Sequence, residues 1–343
     1  MNQSHSWCLR FWQELENWSN ENALFWKINF FNYIPPKFIN EFYCEKLVET
    51  IDSIDKFAYL YIEVYSQYNL IDKQITKTIL TKVAQKIENL NIVITYNDDI
   101  FENNLNLFES DYDLIKLSYF QQFIISHSQI FDYKGKGFEA IFKLYPKFLI
   151  DFLSKFCADR IDRQRDRKIN LGFIWEYDGI KEIITDASDF LIENNYYLGM
   201  GDHAHSLLFK KIEPENLDKA FVFILQEIEK YNTDSRRINI YFDTIRNHFG
   251  ERFENALLFF LSVNSDIEIF KEIDWVGNVG VVSGDVNFGD LYAKRWENIL
   301  KIVNKSNATL AMIPIKSFLK KKIADQYKWA ESERERKFLT PDW

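Results

Sequence analysis

The first glycine of this chain is Gly135, and all eleven glycines lie from there to the C-terminus. Pro35 and Pro36 are the only prolines before it. Tight hairpin turns draw on glycine and proline for the backbone angles that other residues resist, so residues 1–134 have little with which to reverse a strand. They read as successive helices, separated by short polar breaks at 20–22, 72 and 97–99.

Helical periodicity is countable further on. In PENLDKAFVFILQEIEKY, Leu217, Phe221, Ile224, Leu225 and Ile228 form one apolar stripe, with Pro214 placed to open the helix. DLYAKRWENILKIV repeats the pattern through Tyr292, Trp296, Ile299 and Val303, with Asp290 as the expected N-cap. A third stripe runs Ile180, Ile183, Ile184, Ala187, Leu191. Two-residue alternation flanked by turns is not seen, so the expected class is all-α.

Some segments are apolar on more than one side. ALFWKINFFNYI and FAYLYIEVYSQY (residues 57–68) are examples, and such helices are normally buried all round. The inner layer of an irregular, HEAT- or TPR-like α-solenoid provides that environment. The expected organisation is a Gly-free helical region, 1–134, continuing into a helical-repeat region, 135–343, as one solenoid, with an irregular helical bundle as the alternative. Residues 275–290, WVGNVGVVSGDVNFGD, carry four of the glycines and form the expected long loop. The segment at 316–339, KSFLKKKIADQYKWAESERERKFL, reads as a charged helix with Phe318, Ile323, Tyr327 and Ala330 on its apolar side.

Composition narrows the function. The chain has 343 residues, 47% hydrophobic, and a net charge of −9, which repels both a phosphate backbone and anionic lipid. Nucleic acid and membrane are therefore not the expected partners. Cys8, Cys44 and Cys157 fit neither a disulfide framework nor a zinc spacing, as in a reducing cytosol. The N-terminal stretch has charges within its apolar run, unlike a signal peptide, and no apolar run approaches the roughly 18 residues of a membrane span. The expected location is cytoplasmic.

No GxxxxGK[ST] occurs, the KGKG at 134–137 lacks the strand of a phosphate cradle, and GNVGVVSG fails the GxGxxG spacing. Asp202, His203 and His205 form the one cluster of ligand-type side chains, but neighbours two apart diverge on a helix. Asp202 reads more simply as an N-cap to SLLF. None of the five histidines follows an Arg at the spacing of helical HEPN ribonucleases; His248 follows Arg246 too closely. Asp98, Asp99 and Glu102 read as a solvated turn. The expectation is a non-enzyme without metal or cofactor.

The sharpest charge feature is ADRIDRQRDRK. There Arg160, Arg163, Arg165 and Arg167 are the candidate partner-binding residues, since the guanidinium is a rigid bidentate fork. Interleaved Asp159, Asp162 and Asp166 support the competing reading, a solvated helix end paired internally.

FIWEYDGIKEIITDASDFL, LLFFLSVNSDIEIFKEIDW, VVSGDVNFGDLYAKRWENILKIV and ESERERKFL together resemble the distal helical region of bacterial STAND and NACHT-like antiphage defence NTPases of the Avs type. The resemblance covers roughly residues 170 to 340. It implies a helical-repeat sensor arm that recognises a phage protein, separated from its ATPase or stand-alone, and it transfers no functional residue. The expected function is thus protein binding and target recognition in a defence NTPase system. A general helical scaffold for a host protein or peptide is the alternative.

Overall fold

The computed structural model describes residues 3–17, 136–158, 171–197, 203–277, 287–306 and 310–339, with a few scattered positions between 25 and 116. Among the described residues the chain is all-α: helices follow one another, and the only pairing of extended backbone is an isolated bridge between Tyr197 and His203. No described helix is long and apolar enough to cross a membrane. The chain divides into two compact units, Met1–Ile169 and Asn170–Trp343, so the first glycine falls inside the first unit.

In the first unit, α1 (Gln3–Asn17) buries Trp12 and Leu15, three residues apart on one face. The α2 (Lys136–Leu144) and α3 (Phe148–Ala158) helices are joined by a tight turn at Pro146, where Phe148 N–H donates to the Tyr145 carbonyl at 2.9 Å. Phe138 on α2 meets Phe152 and Phe148 of α3, with ring centroids 4.7 and 5.4 Å away. Most of the two all-round apolar segments lies outside the described residues. Phe25 and Trp26 are described, and against expectation they are 53% and 45% exposed. An apolar sequence shows that a helix could be covered, not that neighbours cover it.

The second unit opens with a 3-10 turn, Gly172–Glu176, then α4 (Ile180–Glu193) and a second 3-10 turn, Ala204–Phe209. The α5 (Leu217–Lys230), α6 (Ser235–His248), α7 (Phe253–Val263) and α8 (Ile267–Glu272) helices follow. The unit ends in α9 (Phe288–Lys305) against the long α10 (Met312–Leu339).

The counted stripes face the core. Phe221, Ile224 and Ile228 of α5 are buried, as are Ile180, Ile184, Ala187 and Leu191 of α4, and Trp296, Ile299 and Val303 of α9. Helix starts differ from expectation. Pro214 opens a 3-10 turn, Pro214–Asn216, and the α-helix begins after it. The N-cap of α9 is Asn287, not Asp290: its Oδ1 accepts from Asp290 N–H at 3.1 Å, while its Nδ2 donates to the Ala330 carbonyl at 2.9 Å. Asp290 instead pairs with Arg334. The α10 helix starts before the charged run and buries Met312, Ile315, Leu319 and Ala330, leaving Phe318 and Ile323 half-buried and Tyr327 exposed.

Two tryptophans centre the core of this unit. Trp275 lies 4.6 Å from Phe270 and 4.8 Å from Phe242, centroid to centroid, and its indole N–H donates to the Phe270 carbonyl. Trp175 packs on Phe209 and Phe223 and donates to the Leu208 carbonyl at 2.7 Å. Each buries a large apolar ring while its one polar group stays bonded.

Candidate functional site

Three local arrangements in the second unit bring polar or exposed apolar groups together. The first is centred on Arg237, in the opening turn of α6, whose N-cap Asp234 accepts the Arg237 N–H at 3.1 Å. Its side chain is 11% exposed, paired with Asp189 of α4, and its guanidinium lies 4.1 Å from the Tyr231 ring centre. Tyr241, one turn on, donates to Glu227 of α5 at 3.3 Å. Burial pushes the Glu227 carboxyl up from its ordinary range and raises the Tyr241 phenol as well. The network ties α4, α5 and α6 together, with the Arg237 guanidinium facing the carboxylates of Asp189, Glu193 and Asp234 and Glu227 held by Tyr241.

The second arrangement joins the 3-10 turn Ala204–Phe209 to α6. Thr244 donates its single hydroxyl hydrogen to the Ile240 carbonyl at 3.0 Å, so toward His205 Nδ1, 2.9 Å away, it acts as acceptor. That places the His205 hydrogen on Nδ1 and a lone pair on Nε2, which is buried without a partner among the described residues. Burial holds His205 well below the usual imidazole range. Burial also lowers His203 to about 4, with Arg236 adding to it. A histidine beside a hydroxyl is the outline of a base and a nucleophile. Here His205 and Thr244 are 0% and 1% exposed, and the hydroxyl proton is already given to a carbonyl.

The third arrangement is open. Where Gly172–Glu176 meets α4 and α5, a cleft of about 390 Å³ has walls that are almost wholly apolar. Trp175, Ile180 and Phe223 are buried at its base, and Val222 stands at the side 49% exposed. Lys219 reaches over from α5 and donates to the carbonyls of Trp175 and Tyr177, both at 2.9 Å. This fastens the end of the 3-10 turn to the helix and keeps the cleft formed. Asp218, also at the rim, is paired with Arg252.

Of the residues singled out in the sequence, Arg160, Arg163, Arg165 and Arg167 lie outside the described residues, as does Asp202. The cap of the 3-10 turn is His203, whose Nδ1 accepts from the His205 N–H at 3.1 Å, in place of the expected Asp202. Among the described residues no group of three or more His, Cys, Asp or Glu side chains could hold a metal ion. Sequence reasoning missed the apolar cleft. The signal was Val222, an apolar residue that falls off the Leu217–Phe221–Ile224 stripe and so points away from the core its helix covers.

Compared with protein-family models, curated proteins and solved structures, the chain matches none of them.

Proposed function

We propose that this chain is a protein-recognition module of helical-repeat type that binds a phage protein on behalf of a bacterial defence NTPase. The observation that carries recognition is the cleft at Val222: a preformed apolar depression with charged residues at its rim. That is the anatomy of an interface hot spot, where one anchoring side chain is desolvated inside a polar ring. Burying a Leu, Phe or Met from a partner there contributes roughly 1.5–3 kcal/mol. The nature of the target is supported by the resemblance over residues 170 to 340, the stretch that contains the cleft.

The test compares the parent chain with Val222→Asp, immobilised and exposed to lysates of infected and uninfected cells. The expected result is a phage protein retained by the parent and lost by the variant, with unchanged melting temperature. Reconstituted from purified components, the complex should weaken about thirtyfold, the equivalent of about 2 kcal/mol. A Val222-sensitive partner present in uninfected cells would instead favour the general scaffold. Finding no partner sensitive to Val222 in either lysate would defeat recognition at this cleft.

A further inference from the structure

A second cleft, of about 500 Å³, lies where α6, α7 and α9 meet the turn after α8. Its volume falls within the range of about 300–1,000 Å³ usual for small-ligand sites. Trp275, Phe253 and Ile299 supply apolar wall; Asp243, Arg246 and Arg295 supply charge. The two arginines are not equivalent. Arg246 is committed: it pairs with Asp243, and its Nη1 donates to the Asp274 carbonyl at 2.8 Å. Gly277, at φ 64°, packs directly against it, so that a Cβ there would lie 3.0 Å from Arg246 Nε.

Arg295 is committed on one side only. Its Nη1 donates to the Val276 carbonyl at 2.7 Å and, more weakly, to that of Gly277. Among the described residues no carboxylate pairs with it, and its Nε and Nη2 have no partner. Those two donors form the edge of a guanidinium that takes a carboxylate side-on, through two parallel hydrogen bonds. The Val276 contact anchors the head and presents that edge. Asn247 and Asn298, exposed at the mouth, add side-chain amides with no hydrogen-bond partner among the described residues. With Asp243 cancelling Arg246, the described lining carries one uncompensated positive charge, in a chain whose net charge is −9.

We propose that this cleft binds a monocarboxylate with an apolar body, Arg295 holding the carboxylate and Phe253 and Ile299 contacting the body. A single positive charge matches a monoanion, and the nearby Asp243 disfavours a dianionic phosphate. The carboxylate comes either from a free small acid or from the C-terminus of a peptide. The site is separate from the Val222 cleft and stands whether or not that cleft binds a protein.

The probes are benzoate, its neutral isostere benzamide, inorganic phosphate, and a short peptide ending in phenylalanine with a free or an amidated C-terminus. Binding is read from the indole N–H signal of Trp275 in nitrogen-15 spectra. Benzoate or the free-acid peptide should give a saturable shift, and benzamide, phosphate and the amidated peptide should not. A peptide at least about tenfold tighter than benzoate identifies a chain terminus as the source; the reverse order identifies a free acid. Arg295→Gln should weaken binding by about tenfold or more. Because Arg295 also anchors Val276, a second variant, Asn298→Asp, adds a negative charge at the exposed mouth and should abolish binding at unchanged melting temperature. The proposal is overturned if no carboxylate probe gives a saturable shift, if benzamide or phosphate binds as well as benzoate, or if Asn298→Asp binds like the parent.

Discussion

Gly289 and Ala330 meet backbone to backbone: a Cβ on Gly289 would lie 2.6 Å from the Ala330 amide nitrogen and 2.8 Å from the Ala330 Cβ. Real side chains do not approach backbone so closely, so α9 and α10 can pack at this separation only with glycine at 289. The neighbouring Asn287–Ala330 hydrogen bond locks the same contact, and the cap of one helix is thereby fastened to the middle of another.

Gly289→Ala is therefore expected to destabilise the second unit, although alanine is favoured over glycine within a helix by about 1 kcal/mol. Overpacking costs about 1–3 kcal/mol and opposes that gain. Gly250→Ala, where an added Cβ meets nothing within 4 Å, should be neutral or slightly stabilising. Urea midpoints of the two variants decide the matter; equal midpoints would mean that α9 and α10 can separate without cost.

Arg237 and Arg252 provide a contrast of burial. Removing Arg237 leaves the half-buried Asp189 without its cation, and Arg237→Met should cost about 3 kcal/mol. The Arg252–Asp218 pair has side chains 32% and 84% exposed, so Arg252→Ala should cost less than about 1 kcal/mol. Denaturant unfolding of both checks the ranking, and comparable losses would contradict it.

The Thr244–His205 bond invites a double-mutant cycle. Thr244→Val keeps the shape but strands the His205 Nδ1–H in a buried site, at an expected cost of about 1–3 kcal/mol. Combined with His205→Phe, which removes the stranded donor, the same substitution should cost much less. Strict additivity in the cycle would show that the bond contributes nothing.

Acid should loosen this unit through its histidines. Burial lowers His203 and His248 from an ordinary 6.5 to about 4 each, with Arg236 adding to the first; Lys210 adds to the second, and a bond to the Ser206 backbone opposes it. Between these values the unfolded chain binds protons that the folded chain refuses, so stability is full above about pH 6.5 and falls as pH drops toward 4. The loss is on the order of 3 kcal/mol per histidine at most. Carboxylates titrate in the same window, so the observable is the difference in pH slope between the parent and His248→Gln. Parallel slopes would show that His248 is not protonated at a cost.

The residues that carried the helical reading did so through local physics. A repeat near 3.6 residues puts Ile180, Ile184, Ala187 and Leu191 on one face whatever lies opposite, whereas most of the Gly-free run, 1–134, lies outside the described residues. That periodicity acts within a few residues of backbone, so it is readable without knowing any partner.

The sites were not readable in that way. Asp290 is as good a cap by residue type as Asn287, but only Asn287 also reaches the Ala330 carbonyl, contributed by another helix. His203 caps a turn because the His205 amide comes to it, and the free edge of Arg295 exists because Val276 takes its other nitrogen. Local backbone preference settles which segments are helices and which of their faces are apolar. Which face stays open, and which polar group is left over after the others have paired, depends on contacts between residues far apart in the chain, and those arise only when the helices pack.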